Sequence, residues 1–243
     1  GPEVSRYSFD FFHDYIYLAT YLFAAIIQII NFVILIFIKI KKPQLSKKSH
    51  RPLSDILLQK NLIIAILAAA VGYSLMSFIM TATPLQIVNV CKLGDSASAT
   101  VIQWHVIAMF APSFFTGTII SSLGNRKVMM IGLFLYAFSI SFTIIGQTIE
   151  HFWTALFLCG LGWNFLYVGG SDIIAKSAFP EERAKVQGVT DFIIFIFVAT
   201  GSFLAGALHS SLGWEIMMFY TSIPILILFV SIIIIKPDEI KAG

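Results

Sequence analysis

Seven long runs of apolar residues, separated by shorter polar segments, dominate the pattern of the chain. A helix needs about 20 predominantly apolar residues to cross the roughly 30 Å core of a bilayer. The runs are continuous and do not alternate with a period of two, so they are not the strands of a membrane barrel. The pattern therefore predicts an all-α membrane protein with seven transmembrane helices, at 15–38, 62–87, 98–121, 128–146, 152–175, 189–212 and 216–235.

The composition leads to the same class of protein. Of the 243 residues, 58% are hydrophobic and only 12% are charged, and the mean hydropathy is +0.87. A soluble fold needs far more polar side chains on its surface. These figures exclude a disordered chain, and a net charge of +3 leaves no broad basic face for a nucleic acid. Two cysteines fit neither a disulfide framework nor a metal cluster, so we expect no metal and no cofactor.

The basic residues predict the orientation in the membrane. All of the 16 lysines and arginines except Arg6 and Lys92 lie in alternate gaps between the runs or in the tail. Because cytoplasmic segments carry the excess of basic residues, that side is predicted to be cytoplasmic. The N-terminus is then outside and the C-terminus is inside.

One gap differs from the others, because residues 39–60 are long, basic and contain two prolines. Within it, residues 52–58 could form a short amphipathic helix on the membrane surface. We therefore predict three parts: an outer segment with one helix (1–38), a cytoplasmic linker (39–60) and a six-helix bundle (61–243). The phrase G-x-x-x-S-S-L-G occurs at 117–124 and again at 206–213, three helices later. An odd-numbered shift is what inverted three-helix repeats require, as in many secondary transporters.

The second, third, fifth and sixth predicted helices carry the polar side chains, which usually face a bundle interior or a wet cavity. The candidates for solute binding are Tyr73, Gln103, Trp104, His105, Trp163, Asn164 and Tyr167. Trp104 could instead be an interfacial anchor. His105 could couple proton movement to transport or could only hydrogen-bond a neighbouring helix. The glycine-flanked stretch from Trp163 to Tyr167 could contact solute, or it could only pack closely, with Asn164 as an interhelical donor.

Two carboxylates have simpler interpretations. Asp172 precedes Lys176 by four residues, so an ion pair near the cytoplasmic end competes with a role in proton coupling. Asp191 is expected in the first turn of the sixth helix, where a carboxylate complements the helix dipole. Pro84 and Pro112 are expected to bend their helices.

Several phrases of the chain are similar to motifs of the major facilitator superfamily (MFS). Residues 117–127 resemble its loop signature G-x-x-x-D-R-x-G-R-K, although serines replace the acidic and first basic positions. Residues 179–188 resemble its P-x-x-x-R-x-x-x-x-G linker, and residues 39–60 its central cytoplasmic loop. The resemblance covers the chain as the sixth to twelfth helices of a member from the bacterial inner membrane. It implies a gating role for Gly117, Gly124, Arg126, Lys127 and Arg183, which are expected in cytoplasmic loops.

The resemblance implies a secondary active transporter that moves a small solute by proton- or ion-driven alternating access. The chain would then be just over half of a twelve-helix protein and would need an N-terminal six-helix half, covalent or paired. The alternative is a seven-helix receptor or sensor, although no receptor motif is recognisable in the chain. An intramembrane enzyme is disfavoured, because no paired aspartates, Ser/His pair or metal-binding histidines occur at helical spacing.

Overall fold

The computed structural model describes residues 18–39 and 51–236, and these residues are helical with no strand. The helices are α1 (Leu18–Phe37), α2 (Leu53–Leu57), α3 (Lys60–Pro84), a π-helix called here the π segment (Leu85–Val90), α4 (Asp95–Phe110), α5 (Ser113–Leu123), α6 (Asn125–Ile145), α7 (Ile149–Ser177), α8 (Arg183–Leu212) and α9 (Trp214–Ile235). The start of the first predicted run, residues 40–50 of the predicted linker and the tail after Lys236 lie outside the described residues.

The prediction of an all-α membrane protein is confirmed. Six helical stretches are long and apolar enough to cross a bilayer, and α4 and α5 together form a further, bent span with an angle of 44°. The described residues thus contain seven spans when the bent pair counts as one. The predicted short helix at 52–58 is present as α2.

The chain divides into two compact units, Gly1–Lys47 and Lys48–Gly243. In the first unit, the residues of α1 are exposed along almost its whole length, and only Ala19 is buried. In the second unit, α7 lies at the centre and packs against α3, α4 and α6. Helix α8 packs mainly on α3, and α9 packs on α6 and α3.

Glycines explain how α7 approaches three helices at once. A Cβ atom at Gly160 would lie 2.6 Å from a backbone oxygen of α4. At Gly162 it would lie 2.9 Å from a ring carbon of α6, and at Gly170 it would lie 2.6 Å from a backbone oxygen of α3. Small residues allow such close crossings, which replace the hydrophobic driving force that is absent between helices in lipid.

The predicted bend is present at Pro112, whereas Pro84 lies inside one candidate span, Lys60–Val90, whose helix type changes there. Pro112 has no N–H group to continue the ladder of hydrogen bonds, and the bend between α4 and α5 lies at Ala111 and Pro112. At Pro84, α3 changes into the π segment, in which the Cys91 N–H donates to the oxygen of Gln86, five residues back, at 2.9 Å.

The two copies of the repeated phrase have the same local structure. Each ends a helix with a glycine that alone joins it to the next helix: Gly124 between α5 and α6, and Gly213 between α8 and α9. Their φ and ψ angles, 82° and 152° for Gly124 and 76° and 171° for Gly213, lie in a region that is essentially restricted to glycine. One copy lies at the end of the second unit that carries Arg126 and Lys127, called here the basic end, and the other lies at the opposite end.

The expected loop positions are wrong for four of the five gating residues. Gly117 lies inside α5, Arg126 and Lys127 lie in the first turn of α6, and Arg183 begins α8. Only Gly124 lies between helices, because a single residue makes this connection. The expected position of Asp191 is also wrong. Asp191 lies in the third turn of α8 and not in the first, because α8 begins six residues before the predicted run.

Candidate functional site

Three of the predicted solute-binding residues lie together. Trp163 and Tyr167 lie one turn apart on α7, and their rings stack with centroids 5.1 Å apart and an interplanar angle of 8°. Tyr73 of α3 meets both rings edge-on, at 5.3 Å from each centroid. Aromatic pairs favour these offset-stacked and edge-to-face arrangements.

Two phenylalanines that the sequence did not single out extend this group. Phe110, the last residue of α4, lies 5.8 Å from Trp163, and Phe195 of α8 lies 5.7 Å from Tyr73. Both are about half exposed, whereas Trp163 is buried. We call Tyr73, Phe110, Trp163, Tyr167 and Phe195 the aromatic cluster; it has a buried base and an exposed rim.

The base of the aromatic cluster contains a polar atom that is not satisfied. The indole Nε1 of Trp163 is buried and has no hydrogen-bond partner in the described part of the chain. A buried donor without a partner costs free energy, and in native structures such groups need an explanation. A ligand atom that accepts a hydrogen bond would supply one.

Asn164, next to Trp163, differs from it because the polar atoms of its side chain are hydrogen-bonded within the protein. Its Nδ2 donates to the carbonyl oxygen of Met109 at 2.8 Å and to Oγ of Ser113 at 2.6 Å, and its Oδ1 accepts from the Thr116 hydroxyl at 2.5 Å. The carboxamide therefore joins α7 to both sides of the bend between α4 and α5. Both of its N–H groups are occupied, which matches the interhelical role that the sequence left as the alternative.

Gln103, Trp104 and His105 are neighbours in sequence but point to different surroundings. His105 is fully buried, and its Nδ1 donates to the carbonyl oxygen of Leu156 at 2.7 Å. Its Nε2 is buried and has no partner among residues 18–39 and 51–236. Trp104 is exposed and lies edge-on to Trp153 at 5.8 Å, and Gln103 is partly buried. No ring contact or hydrogen bond recorded among the described residues joins these three to the aromatic cluster.

Asp172 lies at the basic end of α7, where its Oδ2 pairs with Nζ of Lys176 at 2.6 Å. The same oxygen accepts from Nδ2 of Asn125 at 2.8 Å, and Asn125 also donates to the Gly169 carbonyl at 2.9 Å. Asn125 belongs to the phrase that resembles the MFS loop signature. This phrase is thus tied to α7 through an asparagine that the sequence did not indicate as functional.

A second contact at the basic end joins the residue before the N-cap of α2 to the connection between α7 and α8. Arg51 forms an ion pair with the buried carboxylate of Glu182 at 2.8 Å, and its guanidinium lies 5.0 Å from the ring centroid of Phe179. The Phe179 N–H also donates to Glu182, at 3.1 Å. Neither Arg51 nor Glu182 stood out in the sequence, because each lies in a segment rich in charge.

A groove of about 620 Å³ lies between α3, α8 and α9. Its walls are mostly aliphatic and aromatic, and none of the predicted site residues lines it. Specific recognition needs a few placed polar groups beside the apolar surface. We therefore place the candidate site at the aromatic cluster, where an unsatisfied donor accompanies the rings.

Comparison with known proteins decides the family. The sequence of residues 62–242 matches the family model of the Major Facilitator Superfamily. The chain belongs to the Major Facilitator Superfamily. It is 39% identical over 219 residues to the riboflavin transporter RfnT of Brucella anthropi, covering 88% of this chain and 55% of that protein.

A second MFS relative is more distant. The uncharacterized MFS-type transporter YdeG of Bacillus subtilis is 34% identical over 153 residues, covering 61% of this chain and 35% of that protein. The chain thus spans about half the length of the curated relatives that it matches, or less. The recognition of the family from residues 117–127 and 179–188 is confirmed, and the chain is part of an integral membrane protein of this superfamily.

Proposed function

We propose that this chain supplies half of a secondary active transporter that moves a planar ring compound of the flavin class across the inner membrane by alternating access. The observation that carries the proposal is the aromatic cluster with the unsatisfied indole N–H of Trp163 at its base. The similarity to a riboflavin transporter supports the same substrate class.

The chemistry of the aromatic cluster suits such a solute. A flavin presents a flat three-ring face that can stack on aromatic side chains, and ring carbonyl groups that accept hydrogen bonds. Phe110 and Phe195 offer exposed ring surface at the rim, and Trp163 offers a donor at the base. Stacking contributes about 0.5–1.5 kcal/mol for each aromatic pair beyond the area that it buries.

The remaining wall of the solute path would come from an N-terminal six-helix half, joined covalently or as a paired chain. Helix α8 exposes Phe192 and Phe203. Helix α5 likewise exposes Phe114 and Phe115. These apolar faces, and the half-length coverage of the relatives, support a partner half beside them.

For proton coupling, we propose His105 before Asp172. His105 makes one hydrogen bond through Nδ1, so its Nε2 can take up a proton without breaking that bond. Asp172 already shares one oxygen with Lys176 and Asn125. For gating, we propose that Gly124, Arg126, Lys127 and Arg183, all at helix ends on the basic end, meet the partner half there. The positive-inside rule predicts that this end faces the cytoplasm.

The test is riboflavin uptake into proteoliposomes that contain the full-length transporter. Trp163→Phe keeps an aromatic ring but removes the N–H donor, so we expect KM to rise about fivefold, as for the loss of one hydrogen bond. Trp163→Ala also removes the stacking and should raise KM further. Trp153→Phe, outside the aromatic cluster, is the matched control. Absence of riboflavin uptake by the wild-type protein would refute the substrate class, and an unchanged KM in Trp163→Phe would refute the site.

A further inference from the structure

A network of polar side chains closes the end of the bundle opposite the basic end. Its centre is Gln86 in the π segment, which is almost completely buried. Its Oε1 accepts from Nε2 of His209 at 2.9 Å, and its Nε2 donates to Oε1 of Gln147 at 2.7 Å. The thiol of Cys91 donates to the same oxygen of Gln147 at 3.2 Å. Four side chains thus join the π segment and its C-terminal cap, the connection between α6 and α7, and the last turn of α8.

The segment that Gln86 holds has an unusual backbone. Pro84 cannot continue the hydrogen bonds of α3, and the next six residues form a π-helix. After it, the Leu93 N–H donates to the oxygen of Ile87, six residues back, at 3.0 Å, and Lys92 has a positive φ of 56°. Pi-helical turns are rare and often occur at functional sites. The π segment is thus a local departure from the regular hydrogen-bond ladder of α3, bounded by Pro84 on one side and by the positive φ of Lys92 on the other.

The structure also leaves space beside the network. A cavity of about 360 Å³ is lined by Gln86, Val90, Gln147, His209, Trp214 and Glu215. Trp214 forms a rigid part of its wall, because its indole Nε1 donates to the carbonyl oxygen of Thr143 at 3.0 Å. The Gln86 carboxamide therefore borders open space on one side of the network.

We propose that Gln86 is a positioning residue that holds the π segment closed, and that the π segment is a gate at this end of the solute path. When the bonds to His209 and Gln147 break, the π segment swings about Pro84 and the end of the bundle opens. This role rests on the proposed transport function, but the opening itself can be measured without any solute.

Cys91 reports on the opening, because its thiol is engaged in the network and only partly buried, whereas the thiol of Cys159 is fully buried in α7. The experiment measures the rate at which N-ethylmaleimide modifies each cysteine of the full-length protein in proteoliposomes, by mass spectrometry. We expect Gln86→Leu and His209→Leu each to raise the rate at Cys91 roughly three- to tenfold, the effect of losing one or more net hydrogen bonds.

Three comparisons separate a gate from a general loss of structure. His209→Gln retains an N–H donor and should keep the rate of Cys91 modification within about twofold of wild type. The double variant, Gln86→Leu with His209→Leu, should be modified at Cys91 no faster than Gln86→Leu alone, because both residues act through one network. Gln187→Leu, which removes an amide bonded only to Asp191 within α8, should leave the Cys91 rate unchanged.

The proposal is overturned if Gln86→Leu labels Cys91 at the wild-type rate, if the effects of the two variants simply add, or if Cys159 becomes equally reactive. A wild-type protein that transports no riboflavin would refute the proposed substrate and leave these labelling results standing.

Discussion

Replacing Gly160 by alanine tests whether α7 is held close to α4 by the absence of a side chain. The new Cβ would lie 2.6 Å from the backbone oxygen of His105 and 3.0 Å from Cβ of Ala108. Ordinary contact begins near 3.4 Å, so α4 must withdraw by about 0.8 Å. A backbone oxygen cannot turn away as a flexible side chain can. Overpacking of this kind costs about 1–3 kcal/mol.

Alanine also has a better helix propensity than glycine, by about 1 kcal/mol, and this gain opposes the clash. Gly188→Ala in α8 is the matched control, since a Cβ there would meet nothing within 4 Å. It should be neutral or slightly stabilising. The propensity gain cancels in the comparison, so the difference in unfolding free energy between the two variants should be about 1–3 kcal/mol.

The assay is reversible unfolding of the purified full-length protein in mixed micelles, titrated with sodium dodecyl sulfate. The Gly160→Ala variant should unfold at lower detergent fraction than Gly188→Ala. If the two variants differ by less than about 0.5 kcal/mol, or if Gly160→Ala is the more stable, the close crossing of α4 and α7 does not need glycine at this position and the reasoning fails.

Three further predictions use the same protein preparation. Tyr136→Phe removes a buried 2.6 Å hydrogen bond from α6 to α3 and should lower the unfolding free energy by about 0.6–1.5 kcal/mol. The control, Tyr220→Phe, changes an exposed tyrosine and should have no effect. Equal effects of the two variants would contradict a stabilising role of the Tyr136 hydrogen bond. Asn164→Leu removes three bonds across the bent span and should cost about 2 kcal/mol in the same titration; a loss under about 0.5 kcal/mol would show that the bend does not depend on it. His105→Asn should abolish the stimulation of riboflavin uptake by a pH gradient but leave riboflavin binding within about threefold, with His151→Asn as control; stimulation that persists would assign coupling elsewhere.

The architecture could be predicted because crossing a bilayer requires long apolar runs, and seven such runs were visible. The bend at Pro112 was also predictable, since a missing N–H is a property of the residue itself. The start of α8 was not predictable from hydropathy. Residues 183–188 carry charged and polar side chains and were assigned to a loop, but they continue the helix beyond the apolar run.

The sequence predicted some residues of the candidate site and missed others, and this difference has a physical reason. Trp163 and Tyr167 lie four residues apart, so their contact follows from helix geometry alone. The choice of Phe110 and Phe195 from the 23 phenylalanines depends on how α4 and α8 are placed around α7, which no local pattern contains. The network at Gln86 could not be predicted for the same reason, because its partners Gln147 and His209 lie 61 and 123 residues away in sequence.

The single-glycine connections at Gly124 and Gly213 have a practical consequence for anyone who labels this protein. A fluorescent protein or epitope inserted at either position would have to replace a backbone conformation that other residues rarely adopt, and would separate two helices that are joined by one residue. Residues 178–182, between α7 and α8, offer a longer connection, but there an insert would disturb the ion pair of Glu182. The connection at residues 146–148 would disturb Gln147. Residues 92–94, after the π segment, meet the same objection, because Gly94 has a φ of 90° and the Leu93 N–H donates to the oxygen of Ile87 at 3.0 Å.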